Sequence, residues 1–197
     1  DKMEEFIKIA KNNTETNDNI NLLEYDITDG IPFDDNYFDI VYSINLLECI
    51  SNKNKLLREI YRVLKPEGQI VMAHYDFDTQ LFDGTNKNLV RKIIQAYSDW
   101  EQDWMDNSDP WMGRRLWKTI NSSGLFIGKI DTYVLTETDY NPKGYGYNMV
   151  KAFKGMVPRG IITEEEYNNF RRDIEKLAEE DKYFYSLNMY VYTGRKK

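Results

Sequence analysis

The sequence predicts an α/β domain: a sheet flanked by helices, with a helical and loop-rich cap. Two observations predict it. Short runs of branched and aromatic residues alternate with segments whose apolar residues recur at helical spacing, and the connectors between them are short. The aromatic residues, fifteen Tyr and four Trp among them, gather mainly after Tyr75, so the second part of the chain has a different duty from the first.

Taken in order, Lys2–Asn12 reads as a helix, with Met3, Phe6, Ile7 and Ala10 on one face. A polar turn leads to a short strand, Ile20–Tyr25, which ends in the turn-forming run Asp26-Ile27-Thr28-Asp29-Gly30. Phe38–Ser43 is a second strand, rich in residues that favour a pleated surface. Ser51 is placed to cap a helix over Asn52–Leu64, whose Leu56, Leu57, Ile60, Val63 and Leu64 form a single stripe. Lys65-Pro66-Glu67-Gly68 stops that helix, and Gln69–Tyr75 is a third strand. Strand, helix, strand with short links is the grammar of a parallel sheet.

From Asp76 onward the pattern changes. Thr85–Trp104 and Trp111–Ser123 read as helices, the second closed by Gly124, and Ile127–Glu137 alternates like a strand. Tyr140–Gly160 is loop-rich, with a short helix at Asn148–Lys154. Thr163 and Glu166 make a capping box for a helix reaching Asp181, and Leu187–Gly194 is a final strand. The resulting division is a core over 1–76, a cap insertion over 77–112, a core helix and strand over 113–137, a cap loop and helix over 138–182, and a last core strand over 183–197.

Composition narrows the function. Hydrophobic residues are 41% of the chain and charged residues 30%, with a net charge of −7. That acidic balance argues against nucleic acid as a partner, because phosphate affinity rests on Lys and Arg. No apolar run approaches the length of a membrane span. A single cysteine, Cys49, forbids an intrachain disulfide, and the charged opening does not read as a secretory leader, so the expectation is a cytoplasmic protein. One Cys and one His, His74, are too few for a metal site. A homo-oligomer is compatible with this composition.

The run Asn19–Asp76 resembles the middle of the class I S-adenosylmethionine-dependent methyltransferases, in the branch of ubiquinone and menaquinone biosynthesis C-methyltransferases. Three blocks carry the resemblance, in family order and spacing: Asp26-Ile27, the run Ile31 to Ser43 (IPFDDNYFDIVYS), and the run Leu57 to Val71 (LREIYRVLKPEGQIV). The resemblance implies a Rossmann-like methyltransferase sheet and S-adenosylmethionine as the methyl donor for a small-molecule acceptor. The family's glycine-rich strand–turn and the acidic residue ending its next strand are not in this sequence, which opens at the helix after that second strand. The expectation is therefore a chain that starts on the order of 50 residues into the family's domain, with its sheet incomplete at the N-terminus.

In open α/β sheets, ligands bind beyond the carboxyl ends of the strands. The resemblance implies that Asp26 accepts from the adenine amine and that the Ile27 N–H faces a ring nitrogen; on residue type alone Asp26 is a turn former. It also implies that Ser43, Ile44 and Asn45 line the methionine and sulfonium of the donor. At the third strand end, Asp76 and His74 are the candidates to act on the acceptor, either by orienting it or by taking its proton. Alternation sends these two to one face and Tyr75 to the other. Glu48 reads as a helix-start carboxylate. Methyl transfer from a sulfonium needs positioning and water exclusion more than side-chain chemistry, which suits an aromatic cap. Trp111, Arg114, Tyr140, Tyr145 and Tyr147 are its acceptor-binding candidates. Trp100, Trp104, Tyr133 and Phe153 supply further rings, and Gly144 and Gly146 permit lid motion. The alternatives are a nicotinamide-dependent oxidoreductase, whose glycine-rich fingerprint this sequence does not contain, and a non-catalytic partner-binding relative.

Overall fold

The structure, a computed structural model, describes residues 2–14, 17, 19–101 and 109–197. The helices are α1 (Glu4–Thr14), α2 (Lys53–Val63), α3 (Lys87–Ser98), α4 (Met112–Ser123), α5 (Tyr145–Phe153) and α6 (Glu164–Glu179). The strands are β1 (Phe38–Ile44), β2 (Leu64–Tyr75), β3 (Leu81–Phe82), β4 (Phe126–Glu137) and β5 (Tyr185–Lys196).

Among the described residues these five strands form one mixed sheet. β1 and β2 are parallel, with Ile40 opposite Gln69 and Ile44 opposite Ala73. β5 then runs antiparallel to β2 from Gln69↔Arg195 to Tyr75↔Met189. Along the same edge it meets the two-residue β3, and along its other edge it pairs with β4 over the whole of that strand. Direct parallel pairing is confined to the β1–α2–β2 unit, because β5 lies between β2 and β4 and runs opposite to both, so that β4 keeps the direction of β1 and β2.

Two apolar clusters divide the sheet's faces. On one face, Leu56, Leu57 and Ile60 of α2 and Met112, Leu116 and Ile120 of α4 bury against Ile70 and Met72 of β2 and Tyr192 of β5. Each such side chain contributes roughly 1.5–3 kcal/mol by leaving water. On the other face, α3, α5 and α6 enclose Phe82, Tyr185 and Leu187 with Ile93, Phe153 and Phe170. This second cluster is the cap, and its aromatic richness is the composition shift seen after Tyr75.

Local signals explain the element ends. Asn52, not Ser51, caps α2: its side chain accepts from the Lys55 N–H at 2.9 Å. The Lys65–Gly68 run lies inside β2, where Glu67 takes a left-handed φ of 62°. Gly124 ends α4 at φ 69°, as a left-handed C-cap requires. The Thr163–Glu166 capping box is present in full. Glu59 and Arg62 of α2 secure the preceding loop. Glu59 accepts from the Ile31 N–H at 3.0 Å, and Arg62 donates to the Ile31 and Phe33 carbonyls at 2.8 Å each.

Three expectations differ from the structure. Ile20–Tyr25 is not a strand: it has no ladder partner among the described residues and leaves Ile20, Leu23 and Tyr25 exposed. Alternation provides a face, but a strand also needs a neighbour for its hydrogen bonds. α1 buries only Ile7, with Met3 and Phe6 exposed. α3 begins one residue after the cap Asn86 and ends at Ser98, so Trp100 lies beyond it, while Trp104 lies outside the described residues.

Candidate active site

The ends of β1 and β2 are fastened together by Asn45. The backbone turns left-handed there, with φ 53°, which Asn tolerates better than most side chains. Its N–H donates to the Ala73 carbonyl at 3.0 Å, and its side-chain Oδ1 accepts from the Tyr75 N–H at 3.0 Å. Ser43 and Ile44 precede this turn; Ser43 is half-buried and Ile44 exposed.

Asp26 forms the turn that residue type alone suggests. Its Oδ1 accepts from the Thr28 N–H at 2.9 Å and from the Thr28 hydroxyl at 2.7 Å, and these bonds hold its carboxyl below the usual range. Its other oxygen lies 3.6 Å from Lys2 Nζ and remains partly accessible. Ile27 packs against the cluster containing Leu47, Ile50 and Leu56. No group among the described residues accepts from its N–H. An accessible carboxylate oxygen beside an open N–H is the donor–acceptor pair that the edge of an adenine presents in reverse, so the residues present fit the nucleoside.

His74 is almost completely buried, at 1% exposure. Its Nδ1 lies 3.0 Å from the Tyr75 carbonyl, which can only accept, so Nδ1 carries the proton. Nε2 then accepts from the Glu48 N–H at 3.4 Å. With both nitrogens engaged, the ring is held neutral, and burial pushes its pKa down to about 4. The ring thus bridges the end of β2 and the turn Leu47–Cys49.

Asp76 has no exposed surface. The Arg114 guanidinium grips it through two nitrogens, Nε to Oδ2 and Nη2 to Oδ1, the latter at 2.6 Å. The Arg114 N–H adds a bond at 3.3 Å, and Nη2 also reaches Asp78 at 3.1 Å. Gly113 lets α4 come this close, since a Cβ there would stand 2.9 Å from that of Asp76. A carboxylate and a guanidinium that consume each other are poorly placed to act on the acceptor. Residue type alone assigns them separate tasks; the structure makes them one ion pair, with Trp111 stacked under Arg114 at 4.6 Å.

The tyrosine candidates separate into two groups. Tyr145 stands on the cap face against Tyr75, ring centroids 4.9 Å apart. Both line a cavity of about 460 Å³ with Leu135, Glu137, Lys143, Asn148, Met149 and Ala152. Tyr140 instead packs on Tyr147 at 4.9 Å and on Tyr183 at 5.0 Å, outside that lining. Gly146 is not a hinge. It is buried where a Cβ would fall 2.0 Å from the Tyr183 hydroxyl, and Glu137 ties down the Tyr145 and Gly146 N–H groups. Phe153 is fully buried core and Tyr133 is exposed on β4.

Glu48, which sequence reading gave only a helix-start role, lies in the first turn of the short helix Leu47–Cys49. It is 7% exposed, and burial with the nearby Asp109 charge pushes its pKa up to about 7. A carboxylate directly after a strand tip was the available signal.

Comparison with known proteins bears on the fold and on the first part of the chain. Residues 1–72 match a family described as a methyltransferase domain. A ubiquinone/menaquinone biosynthesis C-methyltransferase of Hydrogenovibrio crunogenus is 30% identical over 103 residues, 49% of this chain and 41% of that protein. A sterol 4-C-methyltransferase of Caenorhabditis elegans is 43% identical over 64 residues, 32% of this chain and 19% of that one. The chain thus spans less than half the length of these curated relatives. Among solved structures, the YcgJ protein of Bacillus subtilis superposes with a TM-score of 0.58 at 14% identity, over 100% of this chain and 80% of that one. The BH2331 protein of Bacillus halodurans gives 0.57 at 17% identity, over 98% and 79%. The fold is the Rossmann-like methyltransferase sheet, and residues 1–72 match the methyltransferase-domain family.

Proposed function

We propose that this chain carries part of the donor site and the acceptor cap of an enzyme that moves a methyl group from S-adenosylmethionine to O, N or C of a small molecule. The observation that carries the reading is the pairing of the open Ile27 N–H with the accessible oxygen of Asp26, beside strand tips locked by Asn45. Asp26 and Ile27 would hold adenine, and Ser43, Ile44 and Asn45 would line the rest of the donor. The donor supplies an already activated methyl group. What the chain must add is alignment and exclusion of water.

The cavity walled by Tyr75 and Tyr145 supports a place for the acceptor on the cap face of β2. The Asp76–Arg114 pair and the His74 bridge support positioning parts, keeping the end of β2 rigid beneath that cavity. Trp111, Tyr140 and Tyr147 then support the cap's shape.

Titration calorimetry with S-adenosylhomocysteine and with NADH tests the reading. Binding of S-adenosylhomocysteine that Asp26→Ala weakens is the expected result. Binding of NADH alone would favour the oxidoreductase, and binding of neither would favour a partner-binding relative.

A further inference from the structure

We propose that the acceptor is an elongated, largely apolar molecule with an anionic group, such as a carboxylate, at the end remote from the methylated atom, and that the Lys143 ammonium pairs with that group. This assignment deepens the placement of the acceptor in the Tyr75–Tyr145 cavity and rests on it.

The cavity reaches across the sheet rather than sitting at one strand tip. Tyr75, at the end of β2, lies opposite Met189 of β5, whereas Glu137, at the end of β4, lies opposite Tyr185. Those two positions are four residues apart on β5, about 13 Å at the rise of a strand, and β5 itself separates β2 from β4. One end of the cavity is therefore beside the tip that Asn45 fastens, on the side of the donor. The other end is at the segment entering α5, where Lys143 stands two residues before the helix.

The polar groups at this far end are not equivalent. Both Glu137 oxygens accept from the backbone, the Tyr145 N–H at 2.6 Å and the Gly146 N–H at 2.8 Å, so the first turn of α5 already engages this carboxylate. The Asn148 amide donates to the Pro142 and Gly144 carbonyls at 3.2 and 2.7 Å. In the adjoining loop, Asp139 accepts from the Asn141 amide at 2.7 Å. Lys143 is fixed through its backbone, its N–H donating to Asn141 Oδ1 at 3.0 Å. Its Nζ has no hydrogen bond or ion pair among the described residues, and it is the cation of the cavity lining.

Leu135, Met149, Ala152 and the two tyrosine rings wall the space between the ends. The Tyr75 and Tyr145 hydroxyls hold no hydrogen bond among the described residues, and burial keeps both as un-ionised phenols. Apolar walls suit an apolar body. A single ammonium without a partner favours a negative end and penalises a positive one.

Two rigid probes separate charge from shape: 4′-hydroxybiphenyl-4-carboxylate and its neutral carboxamide. Calorimetry at low salt should show the wild-type chain binding the carboxylate about fivefold more tightly, with the advantage shrinking in about 0.5 M NaCl. Lys143→Met should bring the carboxylate down to the affinity of the carboxamide and leave the carboxamide unchanged, whereas Lys143→Arg should keep most of the preference. Lys143 is exposed, so both variants should fold. Equal wild-type affinity for the two probes, tighter binding of the carboxamide, or a preference that survives Lys143→Met would overturn the anionic class while leaving the cavity as the binding place. Failure of both probes to bind the wild-type chain, or binding that Tyr145→Ala leaves unchanged, would overturn the placement of the acceptor in this cavity.

Discussion

The Arg114 guanidinium closes on both oxygens of Asp76, a carboxylate with no exposed surface, so that α4 and the end of β2 are joined by a buried ion pair. Two chain positions 38 residues apart thereby set the floor under the cap. The two partners are not equivalent. Arg114 keeps 37% of its side chain in contact with solvent and retains Asp78 as a second acceptor.

That asymmetry predicts unequal losses. Arg114→Ala strands a fully buried carboxylate and should cost about 3–5 kcal/mol. Asp76→Asn leaves a cation that can rehydrate and should cost about 1–2 kcal/mol. Urea unfolding of the two variants checks the order; equal losses would mean that the pair does not share burial in this way.

His74 and Glu48 should oppose each other in pH dependence. The folded pKa of His74, about 4, lies below its ordinary 6.5, so its contribution is complete above pH 6.5 and is lost as pH falls toward 4. That of Glu48, about 7, lies above its ordinary 4.5, so its contribution is complete below pH 4.5 and is lost as pH rises through 7. Between pH 5 and 7 the two slopes offset. Glu48→Gln should become more stable with rising pH in this window and His74→Gln less stable, as denaturant midpoints at each pH would show.

Gly146 lets α5 lie against β5. Gly146→Ala would drive a methyl group into the Tyr183 hydroxyl and the Tyr185 ring, displacing α5. The expected loss is about 1–3 kcal/mol, with weaker protection of the α5 amides in hydrogen exchange. A variant as stable as wild type would restore the hinge reading of this glycine.

Thr163→Ala removes one half of the capping box on α6. It should cost about 1 kcal/mol and lower Tm by about 2–4 °C, measured by calorimetric melting.

Much of the fold was legible because local rules decide it. The α2 stripe, the Gly124 stop and the Thr163–Glu166 box each follow from residues within one or two turns. Alternation also sent Tyr75 to the opposite face from His74 and Asp76. What could not be read locally is which polar residues find each other. Asp76 and His74 have the right chemistry for acting on an acceptor, but Arg114 and the Glu48 N–H, distant in sequence, take up that capacity. Glu48 reads locally as no more than a helix-start carboxylate for the same reason: its burial comes from tertiary packing, not from its own segment. Ile20–Tyr25 has a strand's composition but joins no ladder among the described residues, and only the fold reveals that.

The most direct measurement is hydrogen exchange at the Ile27 amide, with and without S-adenosylhomocysteine. If adenine sits on this N–H, exchange there should slow on binding, and Asp26→Ala should abolish the slowing. An Ile27 amide that exchanges equally fast with the ligand bound would contradict the placement of the nucleoside at this turn.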